Sequence, residues 1–399
     1  MKPLHLSHFT ATSCIGVGLA QTLNAMRQRR GGLAPCRFDT VDIDTCVGEV
    51  AGIDDVAIRT DLQPFDCRNN RLLQLALQQD GFAEGVASAI AKYGRDRVGV
   101  FIGTSTSGVL QTELAYRRRA QETGALPADF NYATTHNAFS PTDFARHYFD
   151  VTGPAASVAT ACSSSAKVFG SARRMIEAGV IDAAIVGGVD SLCLTTLYGF
   201  LSLELISPVP CRPYDVARAG ISVGEAAAVI LLERMPERVD ADAVLLLGIG
   251  ESSDAYHMSS PHPDGLGAAI AMKNALATAQ LQPQDIDYIN LHGTGTQTND
   301  AAEGKAVTGL FGSSVACSST KGATGHTLGA AGGLEAVICA LAIQNGIAPS
   351  GLNTTELDRQ FPLHYLLENV EQRLDHVLSN SFGFGGTNCS LVLGRAGAQ

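Results

Sequence analysis

The stretch S-V-A-T-A-C-S-S-S-A, residues 157–166, decides how the rest of the chain is read. A strand-like apolar run ends in it, and an amphipathic helix is expected to begin on Cys162 itself. Val168, Met175, Ile176 and Val180 supply the helical stripe. A helix N-terminus carries unsatisfied N–H donors and roughly half a positive charge. A thiol held there is expected to ionise readily, since such placements bring cysteine pKa values down to roughly 3.5–7.5. The same N–H groups suit a developing oxyanion on an attacked acyl carbon. A cysteine in apolar surroundings is ordinarily a small buried hydrophobe, and the other nine cysteines read that way. Cys162 is set apart by the serine run at its strand-to-helix turn.

The 399 residues are 45% apolar and 17% charged, enough for a large core in two domains or one duplicated unit. The net charge of −11 excludes nucleic acid as the main partner, because phosphate binding needs a basic face. A local basic patch for an acidic protein partner is compatible with it. No CxxC pair or zinc-ligand spacing occurs, so no metal is expected. The opening M-K-P-L-H-L-S-H-F-T has no signal-peptide character, and no uninterrupted apolar run has membrane-spanning length. The expectation is a soluble, reduced, cytoplasmic protein.

Strand-like and helical patterns alternate. Strands are expected at Arg97–Gly103, Ala183–Asp190, Ala226–Leu232, Val244–Ile249, Asp287–Leu291 and Leu391–Leu393. Helices are expected at Asn70–Tyr93, Ser163–Ala178, Gly267–Ala279 and Leu334–Asn345. The alternation favours an α/β fold with buried strands. An internal echo accompanies it. I-G-T-S-T (102–106) matches H-G-T-G-T (292–296), and V-G-E-A-A-A-V-I-L-L-E-R (223–234) matches F-G-G-T-N-C-S-L-V-L-G-R (384–395). A duplicated unit with a boundary near 236–245, halves 1–240 and 241–399, fits this order.

Three further motifs carry chemistry. In L-H-G-T-G-T-Q-T-N-D, 291–300, His292 ends a strand in a turn with Thr294, Thr296 and nearby Asp300. In S-S-T-K-G-A-T-G-H-T-L-G-A-A-G-G-L-E-A, 318–336, Lys321 and His326 precede a helix that carries Glu335. The lysine precedes the glycines, so this is not a phosphate loop. A buried Lys321–Glu335 pair that orients His326 is expected. In S-N-S-F-G-F-G-G-T-N-C, 379–389, glycines flank Phe382 and Phe384, and a backbone N–H here is a candidate second oxyanion donor.

Taken together and in this order, the four motifs resemble the β-ketoacyl-acyl carrier protein synthases of the synthase I/II type, condensing enzymes of the thiolase superfamily. The resemblance runs from about residue 60 to about 394 and includes S-S-D-A-Y-H-M, 252–258. It implies a duplicated five-layered α/β/α/β/α thiolase-like fold, usually a homodimer. It makes Cys162 the acyl-accepting nucleophile, with His292 and His326 binding the extender's thioester carbonyl for decarboxylation. Lys321 with Glu335 organises the His326 side. Phe384 matches the gating phenylalanine, and the Cys162 and Phe384 N–H groups match the oxyanion hole. Thr294 and Thr296 match residues on the phosphopantetheine arm, while Thr106 and Phe200 fall among residues that meet the acyl chain. The implied reaction is decarboxylative condensation with a malonyl thioester on an acyl carrier protein, in a fatty acid or specialised polyketide or polyene pathway. No cofactor is implied beyond the carrier's own arm.

Departures and rivals qualify that reading. The opening V-x-T-G-x-G of the family is degraded to F-T-A-T-S-C-I-G, so altered edge structure is expected at the start. Thr106 replaces a larger aliphatic residue, which implies a wider or more polar acyl channel. Arg68 and Arg71 fall where the family docks its carrier, with Arg27, Arg29, Arg30 and Arg117–Arg119 as alternatives. A thiolase needs a second cysteine, and G-F-G-G-T-N lacks one. A chain-length scaffold subunit lacks the nucleophile that Cys162 supplies, although pairing with such a paralogue stays open.

Overall fold

The structure is a computed structural model and describes residues 1–398. The five longest strands of the first half are β1 (Leu4–Ser13), β2 (Val98–Gly103), β3 (Ala155–Val158), β4 (Ala183–Asp190) and β5 (Ala226–Arg234). The second half holds β6 (Val244–Ser253), β7 (Tyr288–Asn290), β8 (Ala316–Ser318), β9 (His364–Tyr365), β10 (His376–Gly383) and β11 (Thr387–Arg395). The spatial order is β3-β2-β4-β5-β1 followed by β6-β11-β10-β7-β8-β9. In both halves the first strand lies beside the last, and the second strand is flanked by parallel neighbours. The echoed segments fall at equivalent places: the turns after β2 and β7, and the strands β5 and β11. The halves meet where β1 and β6 pair antiparallel through Leu4↔Leu246 and His5↔Leu245.

Among the helices are α1 (Arg68–Leu77), α2 (Phe82–Tyr93), α3 (Ser140–Tyr148), α4 (Ser164–Glu177), α5 (Leu194–Ser202), α6 (Leu266–Ala279), α7 (Gln297–Phe311) and α8 (Ala331–Asn345). Helices α4 and α8 pack on each other and touch strands of both halves. Outside them lie the two parts of the sheet, then α1, α2 and α3 on one flank and α6 with α7 on the other. This is a five-layered arrangement. Side chains alternate between layers with period two. Ala226, Ala228, Ile230 and Leu232 of β5 face α8, while Ala227, Val229 and Leu231 face α1. Burial on both faces explains why these strands read as continuous apolar runs. The segment Leu328–Asn345 has 18 residues at a hydropathy of 1.4, long and apolar enough to cross a membrane. It is 89% buried as the middle layer, where a helix must be apolar all round.

Three expectations change. The helix expected over 70–93 is two helices. Asp80 breaks it, with φ of 56° in the left-handed region, and its carboxylate accepts from Thr10 Oγ1 at 2.7 Å and Leu19 N at 2.9 Å. The start of the chain is not an edge: β1 lies between β5 and β6 at the centre of the sheet. Buried Thr10, Thr12 and Ser13 disguised it as polar sequence. Strand β11 begins at Thr387 rather than Leu391, because its first half carries buried Asn388 and Ser390.

Candidate active site

Cys162 stands in a single tight turn, Ala161–Ser163, between β3 and α4. The helix proper begins at Ser164, after the cysteine. Ala161 has φ of 51°, a conformation that costs a non-glycine residue energy and is held in place by its neighbours. The serine run is that hold. Ser164 Oγ accepts from Thr160 N at 2.9 Å and donates to Ala161 O at 2.6 Å. Ser163 Oγ donates to Thr160 O at 2.9 Å, and Ser165 Oγ accepts Gly333 N of α8 at 2.8 Å. The backbone N–H groups of Phe384 and Cys162 lie near the sulfur. They and Lys321 favour the thiolate, but burial outweighs them and pushes the thiol up to about 11. The resting cysteine is therefore a thiol, contrary to the sequence expectation. The helix-start argument leaves out the cost of closing the site from water.

His326 and His292 complete the cluster. Sγ and a ring nitrogen of each histidine all lie within 4.8 Å of one another. His326 Nε2 is 3.1 Å from Sγ, and the two rings meet edge to face with centroids 5.3 Å apart. Leu328 N–H donates to His326 Nδ1 at 3.2 Å. A neutral ring that accepts at Nδ1 carries its proton on Nε2. Lys321 does the same for the other ring. Its Nζ donates to His292 O at 2.6 Å, faces His292 Nδ1 at 3.3 Å and pairs with Glu335 Oε1. Three ammonium hydrogens thus meet three acceptors. Lys321 and Glu335 form the expected buried pair, but they organise His292, not His326, whose orientation comes from Leu328. Burial and the Lys321 charge hold both histidines well below their ordinary pKa, so both are neutral. Burial also raises Glu335, to about 7, against the pull of Lys321.

The result is two neutral imidazoles that each keep an N–H on Nε2, beside one sulfur. The set has the spacing of a metal site, yet the protonated Nε2 atoms offer no lone pair to an ion.

A cleft opens onto the cluster, lined among others by Thr294, Thr296, Phe200, Phe382 and Phe384. Thr294 and Thr296 share a hydrogen bond of 2.9 Å. Phe384 rides on a turn in which Gly385 and Gly386 have φ of 80° and 75°, and its ring lies 5.9 Å from that of Phe200. Two buried carboxylates fix the His292 turn: Asp300, noted beside it in the sequence, and Glu303, which sequence reasoning missed. Glu303 accepts His292 N at 2.8 Å and Gly293 N at 2.7 Å, and Asp300 accepts Thr294 N at 3.0 Å. Their place in the first turns of α7, after H-G-T-G-T, was the available signal.

Several expected site residues lie elsewhere. Thr106 is buried, but its hydroxyl donates to Asp190 at 2.8 Å and it does not line the cleft with Cys162, so it adds no free polar group there. Arg68 is not a docking residue. Its side chain is 5% exposed, paired with Glu225 at 2.7 Å and with Asp54 and Glu49 at 3.0 and 3.1 Å. Arg71 is spent on Asp66, with hydrogen bonds of 2.6 and 2.8 Å. Among the alternatives, Arg27 reaches Asn345, while Arg29, Arg117 and Arg118 pair with Glu368, Asp39 and Asp129. Arg30 and Arg119 are exposed.

Comparisons with known proteins agree with this geometry. Residues 13–238 match the family "Beta-ketoacyl synthase, N-terminal domain", and residues 243–355 match "Beta-ketoacyl synthase, C-terminal domain". The chain is 33% identical to a 3-oxoacyl-[acyl-carrier-protein] synthase 2 of Coxiella burnetii, over 96% of both chains. The family match begins at residue 13, well before the position near 60 where the motif resemblance starts. In structure it is similar to a ketosynthase (ApeO) in complex with its chain length factor (ApeC) from Xenorhabdus doucetiae. The TM-score is 0.89 at 37% identity, covering 99% of this chain and 98% of that one. The ishigamide ketosynthase/chain length factor gives 0.89 at 27% identity and 99% coverage of both. Fold, site and sequence converge: the chain belongs to the β-ketoacyl synthase family.

Proposed function

We propose that this protein condenses an acyl group held on Cys162 with a malonyl thioester delivered by an acyl carrier protein, releasing CO2 and a β-ketoacyl-carrier two carbons longer. The observation that carries the reading is the pair of Nε2–H donors beside a single nucleophilic sulfur. In the first half-reaction Sγ attacks the acyl thioester. The Cys162 and Phe384 N–H groups take the carbonyl oxygen as it gains charge. The carrier leaves as its free thiol, carrying the proton that Sγ gave up. In the second, the malonyl carbonyl oxygen sits between the two Nε2–H donors. As the carboxylate leaves as CO2, its electrons pass to an enolate whose oxygen those donors hold. The enolate carbon attacks the acyl-cysteine, and collapse of the adduct expels the Cys162 thiolate, which takes a proton from solvent and returns to the thiol. Thr294 and Thr296 are assigned to the pantetheine arm, Phe200 to the acyl chain and Phe384 to the gate.

The partner reading is an acyl carrier protein and a second synthase-like chain. The two structural relatives above, each a ketosynthase with a chain length factor, support a heterodimer with a chain-length subunit, and a homodimer is the alternative. Among the described residues strand β3 pairs only with β2, which leaves one edge open for such a partner. The presence of Cys162 and both histidines makes this chain the active member. Ten free cysteines fit a reducing compartment, the cytoplasm.

The test is intact-mass analysis after incubation with a panel of acyl-carriers, followed by malonyl-carrier. An acyl adduct on Cys162 that disappears with formation of β-ketoacyl-carrier supports the reading. Absence of any adduct supports a scaffold, and loss of the adduct without CO2 supports a thiolase-type acyl transfer.

A further inference from the structure

Asp190 ends β4 and is fully buried. Its Oδ1 accepts Thr104 Oγ1 at 2.6 Å, Ser105 N at 2.8 Å, Thr106 N at 2.9 Å and Thr106 Oγ1 at 2.8 Å. Its Oδ2 accepts Gly329 N at 2.6 Å. One carboxylate thus ties the turn after β2 to the turn before α8. The second turn matters because Gly329 follows Leu328, the residue whose N–H fixes His326. Leu328 has φ of 52°, a left-handed conformation that a branched side chain does not adopt unaided. The contact is also close: a Cβ on Gly329 would come within 2.7 Å of Asp190 Oδ2 and 2.6 Å of Ser105 Oγ. Ser105 Oγ in turn donates to Ala161 O at 3.3 Å, next to Cys162.

The other half repeats the device. In the echoed turn after β7, Asp300 Oδ1 accepts Thr294 N at 3.0 Å and Gly295 N at 3.2 Å. Both G-T-x-T turns gather backbone N–H groups around a buried carboxylate, as anion-binding nests do.

We propose that Asp190 is a positioning residue for decarboxylation: by anchoring Gly329 to the Thr104–Thr106 turn it holds Leu328 with its N–H on His326 Nδ1, and so keeps the His326 proton on Nε2. The proposal rests on the condensing reading of the site. A carboxylate does this and an amide does not, because asparagine offers a single acceptor oxygen and its NH2 faces either Gly329 N–H or the turn N–H groups, donor against donor.

The test is Asp190→Asn in the full chain, with two readouts: CO2 release from malonyl-CoA, and acylation of Cys162 by a panel of acyl-CoAs followed by intact mass. Decarboxylation is expected to fall by about thirtyfold or more while acylation stays within about threefold, a split that general loosening of the site does not produce. Thr104→Val removes one of the bonds to Oδ1 at constant shape. It is expected to show the same split at about three- to tenfold, which keeps the test alive if Asp190→Asn does not fold. Decarboxylation within threefold of the parent, or both readouts falling in proportion, overturns the assignment. A parent protein that takes no acyl group from any donor overturns the condensing reading instead.

Discussion

Lys321 serves His292 rather than His326. Its ammonium donates to the His292 carbonyl at 2.6 Å, faces His292 Nδ1 at 3.3 Å and is neutralised by Glu335. The lysine is five residues from His326 in sequence and twenty-nine from His292, so proximity along the chain pointed to the wrong partner. The two histidines reach the same protonation state by different routes, one through a charged side chain and one through a backbone amide.

Replacing Lys321 by methionine leaves Glu335 buried without a partner and frees His292 Nδ1 to take the proton. Condensation is expected to fall by at least about a hundredfold, and stability by about 3–5 kcal/mol, the usual cost of breaking a buried ion pair. The double variant Lys321→Met, Glu335→Leu is expected to regain most of the stability and none of the activity. Denaturant titration and CO2 release separate the two effects.

The Cys162 thiol is raised to about 11, so below that pH the free enzyme holds it protonated. Alkylation by iodoacetamide is expected to climb steadily from pH 7 to about pH 10 without a plateau, since reactivity follows the thiolate fraction. Lys321 pulls the thiol down, so Lys321→Met is expected to move the curve to still higher pH. A plateau below about pH 8 contradicts the burial argument.

Glu303→Gln leaves the His292 turn with donors facing donors, because Glu303 receives His292 N, Gly293 N, Tyr214 OH and Asn380 Nδ2. The expected cost is about 1–3 kcal/mol, with loss of decarboxylation greater than loss of Cys162 acylation. Chemical denaturation and the two half-reactions measure it.

Arg68→Ala tests the correction to the docking assignment. It strands Glu225, which is wholly buried and also receives Leu192 N at 2.9 Å and Val50 N at 2.9 Å. Stability is expected to fall by about 3–5 kcal/mol. The folded fraction is expected to keep its KM for carrier-bound substrate. A raised KM with unchanged stability restores the docking role.

Read from sequence, the site was legible because its groups travel with short-range signatures. Cys162 stands at a strand-to-helix turn with its serine staple, and His292 and His326 stand in glycine turns whose flanking residues are small enough to admit them. The strands β2, β4, β5 and β6 were legible too, because burial on both faces leaves an unbroken apolar run. Strand β1 was not. Its Thr10 and Thr12 are buried, and the Thr10 hydroxyl donates to Asp80, far along the chain, so its composition looks exposed. The arginines misled for the converse reason, since a charge looks the same in sequence whether it meets solvent or, like Arg68, a buried glutamate.

The sequence by itself determined the alternation of strands and helices, pointed to the duplication, and singled out the thiol and the two imidazoles that meet in the candidate site, because those depend on residue type and local period. Tertiary structure alone decided their states. Burial set the Cys162 thiol protonated against its helix, and a lysine from one turn and an amide from another chose the histidine tautomers. Such choices depend on water exclusion and on donors brought within about 3 Å from distant parts of the chain, which no local pattern records.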